Sequence, residues 1–189
     1  RKNTVVYQAM KSKSIDALEK LDFLRQYSGT LLHDHETALY HFGTEHAECN
    51  VHVIRYLRKN TEESGNAWSK EMIALLCEMN KLRKGFMEQG VAALPDEMIT
   101  EYEKKYFSLL QKGKEENRKT THRYAKQEEQ ALINRLEKYS HNHLLFLHDF
   151  SVPFDDNISE RDLRKAKNRQ KIAGEFRKEC GHEMYCSIM

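Results

Sequence analysis

Residues 29–35 read GTLLHDH, and the fold turns on them. Gly29 interrupts what precedes, Thr30-Leu31-Leu32 is β-branched and then apolar, and the run stops at three polar residues, His33, Asp34 and His35. Such a pattern predicts a short strand that ends at a turn. Upstream, residues 4–10 (TVVYQAM) read as another strand, and Ser14 can cap an intervening helix whose Ile15, Leu18, Leu21 and Leu24 step by three. Strand, helix and strand within about 35 residues is the βαβ rhythm, so the spacing predicts a parallel pair with a helix on one face. Downstream, Gly43 sets off residues 47–57 (AECNVHVIRYL), a short strand or turn that leads into a helix.

After Asn60 the character changes. Trp68, Met72, Leu75, Met79, Leu82 and Phe86 recur at steps of 4, 3, 4, 3, 4, which predicts one amphipathic helix with a buried stripe. Pro95-Asp96 opens a second, carrying Met98, Tyr102, Tyr106 and Leu109, and the polar residues 111–123 read as a connection or an extension of it. Leu132, Leu136, Tyr139, His143 and Phe146 predict a third. These Met and aromatic stripes read as core. Residues 152–157 (VPFDDN) are a breaker and cap cluster, and from Ser159 the chain reads as a helix dense in charge, broken at Gly174 and Gly181. The expected fold class is therefore α/β, rich in helix and with few strands. Three parts are expected: 1–60, a helical insertion at 61–148, and 149–189.

Composition narrows the possible partners. The 189 residues hold 31 Lys and Arg against 29 Asp and Glu, a formal net charge of +2, so any nucleic-acid contact must come from a local patch. Only 8 Gly and 2 Pro punctuate the chain, which argues against an all-β sandwich. No run approaches the roughly 18–20 apolar residues that span a bilayer, so no membrane association is expected. Four scattered cysteines (Cys49, Cys77, Cys180, Cys186) suit a reducing cytosol better than a disulfide scaffold. The chain opens at Arg1 and ends within an apolar pattern, which reads as a piece of something longer.

Several constellations could carry chemistry. Asp34 stands at the end of a strand, where open α/β sheets place their ligands, although a turn-forming Asp has the same pattern. Glu160 follows Asn157 by three, the spacing of a capping box, and it also heads a basic helix. Between Arg161 and Lys178 there are eight basic residues and two acidic ones, and Glu160, Arg164, Lys167 and Lys171 share a face. A carboxylate above a basic stripe can hold a divalent cation while Arg and Lys take phosphates. His46, Cys49 and His52 lie three apart, and a set of His33, His35, Cys49 and His52 could form a zinc site, which needs four ligands. His141, His143 and His148 read as helix-surface or core-edge residues.

The segments 29–43 (GTLLHDHETALYHFG), 46–57 (HAECNVHVIRYL) and 152–177 (VPFDDNISERDLRKAKNRQKIAGEFR), with the tail 181–188 (GHEMYCSI), resemble the catalytic part of insertion sequence 66 family transposases. The blocks keep the family's order and span the chain nearly end to end, with the central helices unspecific. The resemblance implies an incomplete ribonuclease-H-like fold with a helical insertion before the final catalytic helix. It also implies a DDE triad gripping two Mg²⁺ ions per active site, for which Mn²⁺ can substitute. It places the second Asp on Asp34 and the Glu on Glu160, both as metal ligands, and puts His52, in a Cys-x-x-His element, near the active site as a supporting residue. Asp156 stands where the family commonly has Asn, which adds negative charge near Glu160. Nothing in this sequence matches the family's first Asp, so the chain alone is expected to be inactive. Arg161, Arg164, Lys165, Lys167, Arg169 and Lys171 would bind DNA. The implied partners are transposon-end and target DNA and further copies of the chain in a synaptic homo-oligomer, in the bacterial cytoplasm at the nucleoid. Two other readings are a non-enzymatic helical DNA-binding module and the zinc protein built on His33, His35, Cys49 and His52.

Overall fold

The computed structural model describes residue 8 and residues 10–173. The strand expected at 4–10 lies outside them, save Gln8 and Met10, which are in neither helix nor strand. Ser14 caps α1 (Ile15–Leu18) as expected, its side chain accepting from the Ala17 N–H, but the helix is broken: Leu21 is extended and opens a second single turn, α2 (Asp22–Arg25). Turns this short have little stability of their own. Leu18 and Leu24 hold them in place by packing on Ala38 and Phe42.

The strand legible at GTLLHDH is present as β1 (Thr30–His33), and it pairs in parallel with β2 (Glu45–Glu48) in the register Thr30↔Glu45 to His33↔Glu48. Residues 34–44 make the crossover through a 3₁₀ turn, Thr37–His41. Gly43 closes it with φ +74°, and a Cβ there would come within 3.0 Å of the Gly29 carbonyl oxygen and of Leu31. Only glycine meets both demands. Among the described residues the parallel partner of β1 is β2.

The rest is helical: α3 (Asn50–Ser64), α4 (Ala67–Glu88), α5 (Asp96–Lys119), α6 (Arg123–Lys138), α7 (Ser140–His148) and α8 (Asn157–Ala173). The stripe on α4 is buried at Trp68, Met72, Leu75 and Met79, and it shares one core with Val53 and Leu57 of α3, Tyr106 and Leu110 of α5, Leu136 of α6, Phe146 of α7 and Phe154. Position 60 lies inside α3, so α3 joins the strands to the helical layer without a break. The polar stretch 111–123 extends α5 to Lys119 before a short turn. Tyr139 divides the third predicted helix into α6 and α7, and its ring stacks on Tyr40 at 5.0 Å.

Two polar devices fix this layer. Glu129 is wholly buried and accepts from Asn60, Asn66 and the Trp68 indole N–H, which joins α3, α4 and α6. Arg83 of α4 donates to the carbonyls of Phe150 (2.6 Å) and Val152 (3.1 Å), while the Phe150 N–H reaches the Ala92 carbonyl and the Asn50 N–H reaches that of Phe154. The strap between α7 and α8 is therefore fastened on both sides. Among the described residues, no helix is long and apolar enough to cross a membrane.

Candidate functional site

Parallel strands end on the same side, and open α/β sheets place ligands outside those ends. Asp34 follows β1 there, exposed, with no hydrogen-bond or ion-pair partner among the described residues. Cys49 follows β2, and its N–H extends the ladder to the His33 carbonyl (2.9 Å). The Cys49 Sγ donates to Asp156 Oδ1 (3.0 Å), and the Asp156 carbonyl accepts from the Glu160 N–H (3.1 Å). Two links thus draw the segment carrying Glu160 to the strand end that carries Asp34.

Glu160 lies in the first turn of α8, half-buried, with Oε1 3.4 Å from His52 Nε2 and 3.9 Å from Arg55 Nη1. His52 stands in the first turn of α3, and Arg55 follows by three on the same face. The helix begins at Asn157, so Asn157 is inside it, and the Glu160 carboxylate turns to α3 instead of closing a capping box. Arg161 and Arg164 are exposed on α8; Lys165, Lys167, Arg169 and Lys171 lie on the same helix, their side chains outside the described set.

Beneath these residues sits a buried ionic group that the sequence did not disclose. Glu48, the last residue of β2, has Oε1 2.7 Å from His35 Nδ1 and accepting from the Tyr40 hydroxyl. Its Oε2 accepts from Arg135 Nε (3.1 Å) and Nη2 and lies 3.6 Å from His143 Nε2. Burial alone would raise the Glu48 pKa, but His143, Tyr40 and Arg135 together hold it down to about 2. Burial pushes His143 down to about 4, against the pull of Glu48. His143 is therefore fully buried beside a carboxylate and not at a core edge. His35 has φ 71°, a region rare outside glycine, and its bond to Glu48 fixes the turn directly after Asp34. In the sequence Glu48 carried no signal, since Glu45-His46-Ala47-Glu48 lacks an apolar alternation; Arg55 could have been found from its spacing to His52.

The zinc set of His33, His35, Cys49 and His52 is not assembled. His33 packs edge-on against Tyr40 and His46, and His35 is held by Glu48, so neither turns to Cys49. The donors that do converge, within 4.8 Å of one another, are those of Cys49, His52 and Asp156. Burial and the bond to Asp156 push the Cys49 thiol up to about 11, so it is a protonated donor and not a nucleophile.

The oxygens present suit a hard divalent cation. The Asp34 carboxylate has no competing partner among the described residues, and the ion pairs of Glu160 among those residues are with groups on α3. The family model described as Transposase IS66 family matches residues 1–184. No curated protein and no solved structure matches the chain.

Proposed function

The chain belongs to the IS66 family of transposases, and from that premise we propose that it cuts and joins transposon DNA through a DDE set of carboxylates. Asp34 serves as the second Asp and Glu160 as the Glu, on a core of ribonuclease-H-like type. The observation that carries this reading is the convergence of their segments at one end of the sheet, through His33 to Cys49 and Cys49 to Asp156. When bound, two Mg²⁺ or Mn²⁺ ions supply activation of the attacking oxygen and stabilisation of the leaving one.

The chain's own residues supply position. Asp34 offers its oxygens from a turn pinned by His35 and Glu48. His52 and Arg55 hold the Glu160 carboxylate against the start of α3, so His52 acts as a positioning residue. Arg161 and Arg164 present forked donors to the DNA backbone, and Lys165, Lys167, Arg169 and Lys171 continue the basic run along α8. Transposon-end and target DNA are the substrates, within a synaptic homo-oligomer in the bacterial cytoplasm, at the nucleoid.

Strand-transfer assays on the full-length transposase test this. Glu160→Gln and Asp34→Asn are each expected to abolish strand transfer while the circular dichroism and unfolding midpoint stay near those of the parent. Full activity in either folded variant overturns the assignment. If the parent protein bound DNA in a salt-dependent way, with no effect of Mg²⁺ and no strand transfer, a non-enzymatic DNA-binding module would be the correct reading.

A further inference from the structure

Cys49, His52 and Asp156 are brought together from the end of β2, the first turn of α3 and the residue before α8. Their donor atoms lie within 4.8 Å of one another, and Cys49 is buried while His52 and Asp156 are half-buried. Two features go beyond mere proximity. His52 Nδ1 is shielded from solvent and has no hydrogen-bond partner among the described residues, an orphaned acceptor or donor of the kind that native structures seldom leave without a purpose. The other ring nitrogen, Nε2, faces the Glu160 carboxylate at 3.4 Å. A ligating histidine commonly donates its second ring N–H to a carboxylate in this way, which fixes the tautomer and leaves the remaining nitrogen for a metal.

We propose that Cys49, His52 and Asp156 form a site for one thiophilic divalent cation of the zinc class, separate from the hard-cation carboxylates. The donor chemistry selects the ion. A thiolate and an imidazole suit Zn²⁺ and not Mg²⁺, which demands oxygen. Bonds of about 2.0–2.3 Å to a common ion require only a modest closing of three donors already this near, and three protein ligands leave a fourth position for water. On binding, the Cys49 S–H bond breaks, its proton leaves to solvent and the sulfur's electron pair goes to the metal; Asp156, which now accepts that proton in a hydrogen bond, becomes a ligand in its place. The ion would then tie the start of α8 to the start of α3 and, through His52, orient Glu160. This inference does not need Asp34 to be catalytic, and its readout needs no DNA.

The test is cobalt substitution. The purified full-length protein is stripped of metal with a chelator, titrated with Co²⁺ and followed by absorption. The expected result is a thiolate-to-cobalt charge-transfer band that saturates at one ion attributable to Cys49 and is displaced by Zn²⁺. Cys49→Ser should remove the band, and Asp156→Asn, a half-exposed site that tolerates the amide, should weaken Co²⁺ binding at least about tenfold. Cys77→Ser and the pair Cys180→Ser and Cys186→Ser should leave it unchanged, as should Asp34→Asn. Absence of the band in the parent protein means an ordinary thiol–carboxylate hydrogen bond and overturns the proposal. So does a band that survives Cys49→Ser or is lost in Asp34→Asn. Retention in Asp34→Asn together with active strand transfer would sink the DDE assignment and leave the metal site standing.

Discussion

Glu48 shows how much a single side chain can hold. It is buried with Arg135 as its charged partner, and removing the carboxylate leaves that guanidinium largely buried and unmatched. Glu48→Gln is expected to destabilise the fold by about 3–5 kcal/mol, read as a fall in the urea or thermal midpoint. The double change Glu48→Leu with Arg135→Met should cost less than the single one, because no charge is then stranded. The pH dependence follows from the same residues. Both pKa values are depressed on folding: Glu48 from 4.5 to about 2, and His143 from 6.5 to about 4. The unfolded chain therefore takes up protons first. The His143 contribution is complete above pH 6.5 and lost as pH falls towards 4; the Glu48 contribution is complete above 4.5 and lost towards 2. Unfolding midpoints measured from about pH 7 to 4 should decline, by at most about 1.4 kcal/mol per pH unit for the one proton. In His143→Asn that decline should flatten.

Among the elements, α4 and α5 were legible and the small turns were not. The stripe from Trp68 to Phe86 identifies α4 because long buried helices impose a strong period, and the packed core bears it out. The apolar steps of Ile15 to Leu24 carried the same period, yet they belong to two single turns, since local spacing does not register where a chain must bend to cover a separate small cluster. Tyr139 likewise sits in phase on the third stripe and still ends α6, where its ring meets Tyr40 from a distant part of the chain. Glycines on the two long helices separate propensity from packing. On Gly85 of α4 a methyl group would meet open space, so Gly85→Ala should stabilise by roughly 0.5–1 kcal/mol. On Gly113 of α5 it would come within 2.8 Å of the buried Trp68 ring. There the overpacking, typically about 1–3 kcal/mol, outweighs a helix gain of about 1 kcal/mol, and Gly113→Ala should lower the melting temperature. Opposite shifts for the two alanines, measured by calorimetry, would bear this out.

For the whole molecule, the near-balance of charge calls for a local basic patch, and the proposed function assigns that patch to α8. Replacing Arg161 and Arg164 together by Ala should weaken binding across all sequences. It should also reduce the slope of log K against log salt by about 2, close to one for each phosphate left without its arginine. An unchanged slope would move the DNA-binding face elsewhere on the surface. The strand-end Asp34 and the basic helix could be read from residue type and order, and the family resemblance put His52 near the motif at 157–164, where its ring does meet Glu160. The buried ion set under them could not, because Glu48, Arg135 and His143 are distant in sequence and each is an ordinary polar residue where it stands.

The fastening of residues 149–156 has a mechanical consequence. Arg83 grips two carbonyls of that strap from α4, and Asn50 grips a third from α3. The pivot from which α8 projects is therefore anchored in the helical layer as well as in the strands. Cutting that grip with Arg83→Ala would free the strap on its α4 side, and under the proposed function the placement of the Glu160 carboxylate would loosen with it.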